Sequence, residues 1–167
     1  MYAKILIMKN LNNILRLVFA IIICELAGVI GAIFTTPSIG TWYTTLIKPS
    51  ISPPNWIFAP VWTILFALMG ISLYLIWKNR SVSPNQKKIA IQVFIAQLFL
   101  NILWTIIFFG LHSPAGAMVE ILSLLTMIIA TLFVFDKISK AAAYLLIPYL
   151  AWVSFASILN FTIWFLN

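Results

Sequence analysis

Acidic side chains are scarce in this sequence. Asp and Glu occur three times in 167 residues, as Glu25, Glu120 and Asp136, and charged residues of all types make up 8%. Soluble globular domains carry about 25% charged residues, so this composition excludes a water-solvated particle and fits the bilayer as solvent. Cysteine occurs once, as Cys24 inside an apolar run, which excludes an intrachain disulfide and any cysteine-based metal spacing. Histidine also occurs once, as His112 between two apolar runs. A buried Ser–His or Cys–His pair is therefore excluded, and so is haem ligation by a buried histidine. No metal site is expected and no cofactor is required. Low-complexity tracts, long linkers and internal repeats are also missing, so residues 1–167 read as a single domain.

Hydrophobic residues are abundant, at 63% of the chain. A bilayer-spanning helix needs roughly 20 mostly apolar residues. Five stretches meet this, at about residues 14–34, 57–77, 89–109, 115–135 and 141–166. The expected fold is an all-α membrane protein, a bundle of five transmembrane helices. The first run follows Lys4, Lys9 and Arg16 as a signal peptide would, but it is long and holds Glu25 at its centre, so it reads as a retained helix.

The net charge of +7 is not a nucleic-acid signature, because the cations lie between apolar runs rather than along an aromatic-studded face. Lys4, Lys9 and Arg16 precede the first span. Lys78, Arg80, Lys87 and Lys88 join the second to the third, and Lys137 and Lys140 join the fourth to the fifth. If the helices alternate, only Lys48 falls on the opposite side. The positive-inside rule then puts the N-terminus in the cytoplasm and the C-terminus outside.

The segment Trp42–Thr63 interrupts the apolar pattern with Pro49, Pro53, Pro54 and Pro60. Proline lacks an N–H and disfavours helix just before itself. The loop of about residues 35–56 is therefore expected to be an outer lid, formed by Trp42, Pro49, Pro53, Pro54, Asn55 and Trp56. Pro114 suits the first turn of the fourth helix, and Pro148 is expected inside the fifth, as a kink.

Helical spacing then selects three stripes. Gln97, Asn101, Trp104 and Phe108 share a face of the third span; Tyr149, Trp152, Ala156 and Asn160 share one of the fifth; Trp62, Phe66 and Met69 share one of the second. With alternating helices, Trp62, Trp104 and Asn160 fall in the outer half, Trp152 near the middle and Asn101 slightly outside it. Two readings fit. The stripes converge on an aromatic cavity with a few amides, suited to a flat apolar ligand, or the amides bond across helices while the tryptophans fill space. Trp77 and Trp164, at helix ends, are expected to anchor at the interface. Glu25 and Glu120 read better as protonated carboxyls bonded across helices, or as residues nearer the interface, than as a proton relay or cation site. Ala27, Gly28 and Gly31 offer a small face for helix contact or for a seam between two copies, and Ala151, Ser154 and Ser157 offer another. A cholesterol pattern at Leu68, Tyr74 and Lys78 is a weak signal.

The segments WYTTLIKPSISPPNWIFAPVWTILFALMG, QLFLNILWTIIFFG and LLIPYLAWVSFASILNFTIW, in this order and spacing, resemble the translocator protein family, also called tryptophan-rich sensory proteins (TspO/MBR) or peripheral-type benzodiazepine receptors. The resemblance runs from about Gly28 to the C-terminus. It implies a five-helix bundle, often a homodimer, with a pocket beneath the first long loop. Its ligands would be porphyrins or haem-related tetrapyrroles, sterols or benzodiazepine-type compounds. By motif, Trp62 and Trp152 match the family's paired pocket tryptophans, and Asn101, Trp104, Tyr149 and Asn160 match further motif positions. Phe66 and Ala156 complete the expected ligand-binding set from their places on the stripes. Ile51 departs from a frequent family tryptophan. The end, Asn160–Trp164 and then Asn167, lacks the basic residue of the proposed sterol motif, so sterol recognition there is not expected. The short tail and loops look prokaryotic. The resemblance points to a tetrapyrrole carrier or sensor. The alternatives are a light- and oxygen-dependent porphyrin-degrading enzyme, with Trp62 and Trp152 as electron sources, and a regulatory membrane partner without small-molecule turnover.

Overall fold

The computed structural model describes the backbone from Tyr2 onward and side chains from Leu11 onward. Seven helices follow in order: α1 (Tyr2–Ile39), α2 (Trp42–Thr45), α3 (Asn55–Lys78), α4 (Pro84–Thr105), α5 (Pro114–Asp136), α6 (Lys140–Tyr144) and α7 (Ile147–Leu166). Among the described residues five segments are long and apolar enough to cross a membrane: Leu11–Ile39, Asn55–Lys78, Pro84–Gly110, Pro114–Asp136 and Lys140–Leu166. They contain the five expected spans.

Local chemistry sets the ends. Ser83 and Gln86 form a reciprocal capping box, with Pro84 opening α4. The Ser113 hydroxyl accepts from the Gly116 N–H at the start of α5, whose first residue is Pro114, as expected. Ser139 caps α6 in the same way through Ala142. A wider π-helical turn, Ile106–Gly110, closes α4.

Two expectations are corrected. Pro148 does not kink a continuous helix. It lies in the first turn of α7, after a break at Leu145–Leu146 that separates α6 from α7. Proline's missing N–H costs least at a helix start. The lid is also shorter than residues 35–56. Residues 35–39 complete α1 despite Pro37, residues 42–45 are helical, and Asn55 and Trp56 already belong to α3.

The spans form a ring. α1 packs on α3 and α4, α4 on α5, α5 on α7, and α3 on α6 and α7. Lipid is as apolar as leucine, so close backbone approach and polar bridges hold such helices together. A Cβ on Gly70 would lie 2.5 Å from the Ile21 Cα, and one on Gly28 would lie 2.7 Å from the Phe66 ring. Gly31 faces Thr105 of α4 in the same way. The small face of α1 is thus buried inside the bundle, against α3 and α4. Buried Ser72 donates to the Ala142 carbonyl at 2.7 Å, and Asn79 donates to that of Ile138 at 3.0 Å.

Among the described residues the cations gather at one end, apart from Lys48. Arg16 lies over the Trp77 ring at 5.7 Å, and the Lys87 ammonium donates to the Trp77 carbonyl at 3.1 Å. Trp77 is therefore held among cations at that end, as an interface anchor would be. Trp164, at 48% exposure, faces outward at the other.

Candidate functional site

A cavity of about 400 Å³ opens inside the half of the ring away from most of the cations. That volume lies within the range of small-molecule sites, roughly 300–1,000 Å³. Its walls come from α1, α2, α3, α4 with its π-helical turn, and α7, and α5 contributes nothing. Seven of the eight residues expected to bind ligand line it: Trp62, Phe66, Asn101, Trp104, Trp152, Ala156 and Asn160.

The aromatic lining is layered. Trp62 stacks on Phe66, one turn deeper on α3, at 5.4 Å and 29°. Trp104 stacks on Phe108 at 5.0 Å and 22°. Phe58 meets Trp152 edge-on at 5.8 Å. Each such pair contributes about 0.5–1.5 kcal/mol beyond burial, which holds the rings in place before any ligand arrives.

The eighth residue, Tyr149, does not line the cavity. It is 1% exposed, and its hydroxyl accepts from the Asn101 side-chain N–H at 3.2 Å. Tyr149 shares the stripe with Trp152, but its ring sits behind the wall, edge-on to Trp62 at 6.2 Å. It steadies Asn101 and Trp62 and is a positioning residue. Gln97 and Met69, the other stripe members, are core residues at 1% and 0% exposure, also off the cavity.

Asn160 combines the two readings open at the sequence level. It lines the cavity, yet its carbonyl oxygen accepts from the Trp104 indole N–H at 3.0 Å and its amide donates to the Pro114 carbonyl at 2.8 Å. One buried amide thus ties α4, α5 and α7 together. Asn160→Leu should leave the Trp104 indole N–H unsatisfied, at a cost of about 1–3 kcal/mol. The expected result is a thermal midpoint lower by roughly 2–12 °C, at about 2–4 °C per kcal/mol, read by near-ultraviolet circular dichroism. The Trp152 indole N–H makes no hydrogen bond among the described residues, although its nitrogen is buried.

The lid residues divide. Asn55 lines the cavity, but Trp42, Pro49, Pro53, Pro54 and Trp56 do not. Trp42 turns toward the loop after α4, where it stacks on His112 at 4.4 Å and 17° and meets Phe108 edge-on at 5.5 Å. His112, the expected loop residue, has φ 51°. Ser38 fastens the end of α1 there by donating to the Phe109 carbonyl at 2.8 Å. Tyr43, which was not among the expected lid residues, also lines the cavity. Burial pushes its phenol above the usual tyrosine range, and the Lys48 ammonium sits 4.0 Å from the centre of its ring. Trp56 is 73% exposed, an interface anchor rather than a cover. Ile51 is also exposed, so the departure from the family pattern there leaves the cavity untouched.

The sequence reading missed the whole α1 wall, which includes Glu25, Gly28, Gly31 and Thr35. Glu25 makes no cross-helix hydrogen bond among the described residues, and buried Glu120 has a partner for neither oxygen. The expected interhelical bonding of these acids is not what the fold provides. The signal for Glu25 was its place on the small-residue face: Glu25, Gly28, Ala32 and Thr36 recur every three or four residues.

The model of the TspO/MBR family matches residues 20–165. The chain belongs to the TspO/MBR family. It is 45% identical to the tryptophan-rich protein TspO of Chlorobaculum tepidum, over 93% of this chain and 98% of that one. It is 38% identical to the translocator protein of Bos taurus, over 84% and 83% of the two chains. It is 34% identical to the tryptophan-rich sensory protein of Cereibacter sphaeroides, over 75% and 77%. Membership of the TspO/MBR family and five apolar spanning helices together make this an integral, multi-pass membrane protein.

Proposed function

We propose that the cavity binds a tetrapyrrole, and that the protein acts as a membrane carrier or sensor of it. The observation that carries this reading is the stacked Trp62–Phe66 pair facing Trp104 and Trp152 in one cavity of about 400 Å³. A flat macrocycle offers such a lining two large π faces, and the lining amides Asn101 and Asn160 supply the few polar groups that could orient it. Relatives named translocator protein and tryptophan-rich sensory protein are in keeping with carriage or sensing. The cation distribution supports a cytoplasmic N-terminus, with the cavity in the outer half of the bilayer.

Protoporphyrin IX added to the purified protein is expected to quench its tryptophan fluorescence. The double variant Trp62→Phe, Trp152→Phe, probed by porphyrin absorbance, is expected to bind roughly tenfold more weakly, at about 0.5–1.5 kcal/mol per lost aromatic contact. Unchanged affinity would count against the cavity as the site.

A second reading, light-driven breakdown of the bound porphyrin, is favoured by one observation: Trp62 and Trp152 line the same cavity, where either indole would be an electron source. Illumination in oxygen should then yield a product that free porphyrin does not form. Identical products at identical rates with and without protein would rule this out.

A further inference from the structure

We propose that the floor of the cavity is a subsite for a protonated amine, with Glu25 as its counter-ion. The inference rests on the cavity being the ligand site. It does not require that the ligand be a tetrapyrrole.

Helix direction fixes which residues form the floor. Lining residues run outward from Glu25 on α1, Asn101 on α4 and Trp152 on α7, and they run down to Phe66 on α3. Those four are the deepest on their helices. The contacts agree, since Gly28, one turn above Glu25, touches the ring of Phe66. The deep end of the cavity is therefore lined by part-buried Glu25 together with Phe66, Trp152 and Asn101.

The charges are one-sided. Among the described residues no lysine, arginine or histidine lines the cavity, and Glu25 is the single acid that does. Glu120, the other acid in a span, does not line it. An ionised carboxylate at this depth is costly unless a cation meets it, and no protein cation is in reach among the described residues. An ammonium brought by a ligand supplies the charge. The Phe66 and Trp152 faces add cation–π attraction, the chemistry by which aromatic cages hold substituted amines. An acid group at the floor would instead meet Glu25 without shielding. The opposite end has the reverse sign, because Lys48 lies over the Tyr43 ring that forms part of the upper wall. The cavity is thus polarised along its length. It orients an amphipathic ligand with any amine down and any acid up.

The test uses the full chain in lipid nanodiscs and two probes: pyrenemethylamine, a flat hydrocarbon bearing a protonated amine, and its uncharged N-acetyl derivative. Binding is read by quenching of protein tryptophan, with empty nanodiscs as the blank. The wild type is expected to bind the amine about tenfold more tightly than the amide, the scale of one charge-assisted contact. Glu25→Gln should erase that preference, and Glu25→Asp, which keeps the charge, should retain it. Equal binding of amine and amide by the wild type overturns the proposal, whether or not Glu25→Gln folds. A preference that survives in Glu25→Gln also overturns it. Protoporphyrin IX, measured alongside, separates the two readings. If it binds while the amine shows no preference, the subsite fails and the cavity stands. If neither it nor the pyrene probes bind, the cavity reading fails and the subsite falls with it.

Discussion

Gly70→Leu is expected to leave no folded bundle. Even a single added carbon at Gly70 would sit 2.5 Å from the Ile21 Cα and 2.9 Å from its backbone nitrogen. Both are backbone atoms of a helix, so no rotamer change relieves the contact, and α1 has to move off α3. Overpacking typically costs about 1–3 kcal/mol. Gly70→Ala is placed at the upper end of that range, because backbone meets backbone, and leucine beyond it. The check is the folded fraction after solubilisation, by size-exclusion chromatography and thermal melt. Gly40→Ala is the control, since a Cβ there meets nothing within 4 Å, and its midpoint should stay near that of the wild type. If Gly70→Leu melts like the wild type, the α1–α3 approach is not as close as described. The same movement would widen the cavity, because Gly28 and Phe66 meet on the same pair of helices. Stability and binding should therefore fall together in Gly70→Ala.

Filling the cavity should separate binding from folding. Ala156 lies between Trp152 and Asn160 on the lining row of α7. A tryptophan at this position is expected to occupy the space between the Trp62 and Trp104 walls. Ala156→Trp should weaken protoporphyrin IX binding by about 100-fold or more, equivalent to about 2.8 kcal/mol at 1.4 kcal/mol per decade. The new ring replaces void rather than packed atoms, so the melting midpoint should stay near that of the wild type. Ala156→Ser, nearly the same size, should bind normally. A folded Ala156→Trp that binds porphyrin with wild-type affinity would move the site elsewhere. This variant tests location and the Trp62, Trp152 double variant tests the contribution of the rings, so agreement between them would be informative.

Several elements were legible without coordinates, for identifiable reasons. A spanning helix must satisfy its own backbone and match the thickness of the hydrocarbon. Five long apolar runs therefore declared themselves, and the structure extends each by only a few residues. The period of 3.6 placed Asn101 and Trp104 on one face of α4, and Trp152, Ala156 and Asn160 on one face of α7. All five line the cavity. Pro114 marked the start of α5, whereas α4 begins at Pro84, ahead of the expected residue 89, because Ser83 and Gln86 cap it.

Periodicity names a face but not what the face meets. Tyr149 and Trp152 share one, yet Tyr149 fills the joint with Asn101 while Trp152 borders open space. Gln97 lies on the face of Asn101 and is sealed in the core. The lid was misjudged for a related reason. Prolines mark where helix stops, but Trp42 found a stacking partner in His112, seventy positions along the chain, and Tyr43 was left to close the wall.

The amino-acid sequence by itself determined the solvent, the number of spans, the polarity of the bundle ends and the family, because each depends on composition, run length or motif along a single chain. Only the tertiary structure decided that α1 forms a wall and that Glu25 sits at the floor. Those outcomes depend on how closely two helices approach, and in a bilayer that distance is set pairwise, by a glycine on one helix facing an aromatic ring or backbone on another.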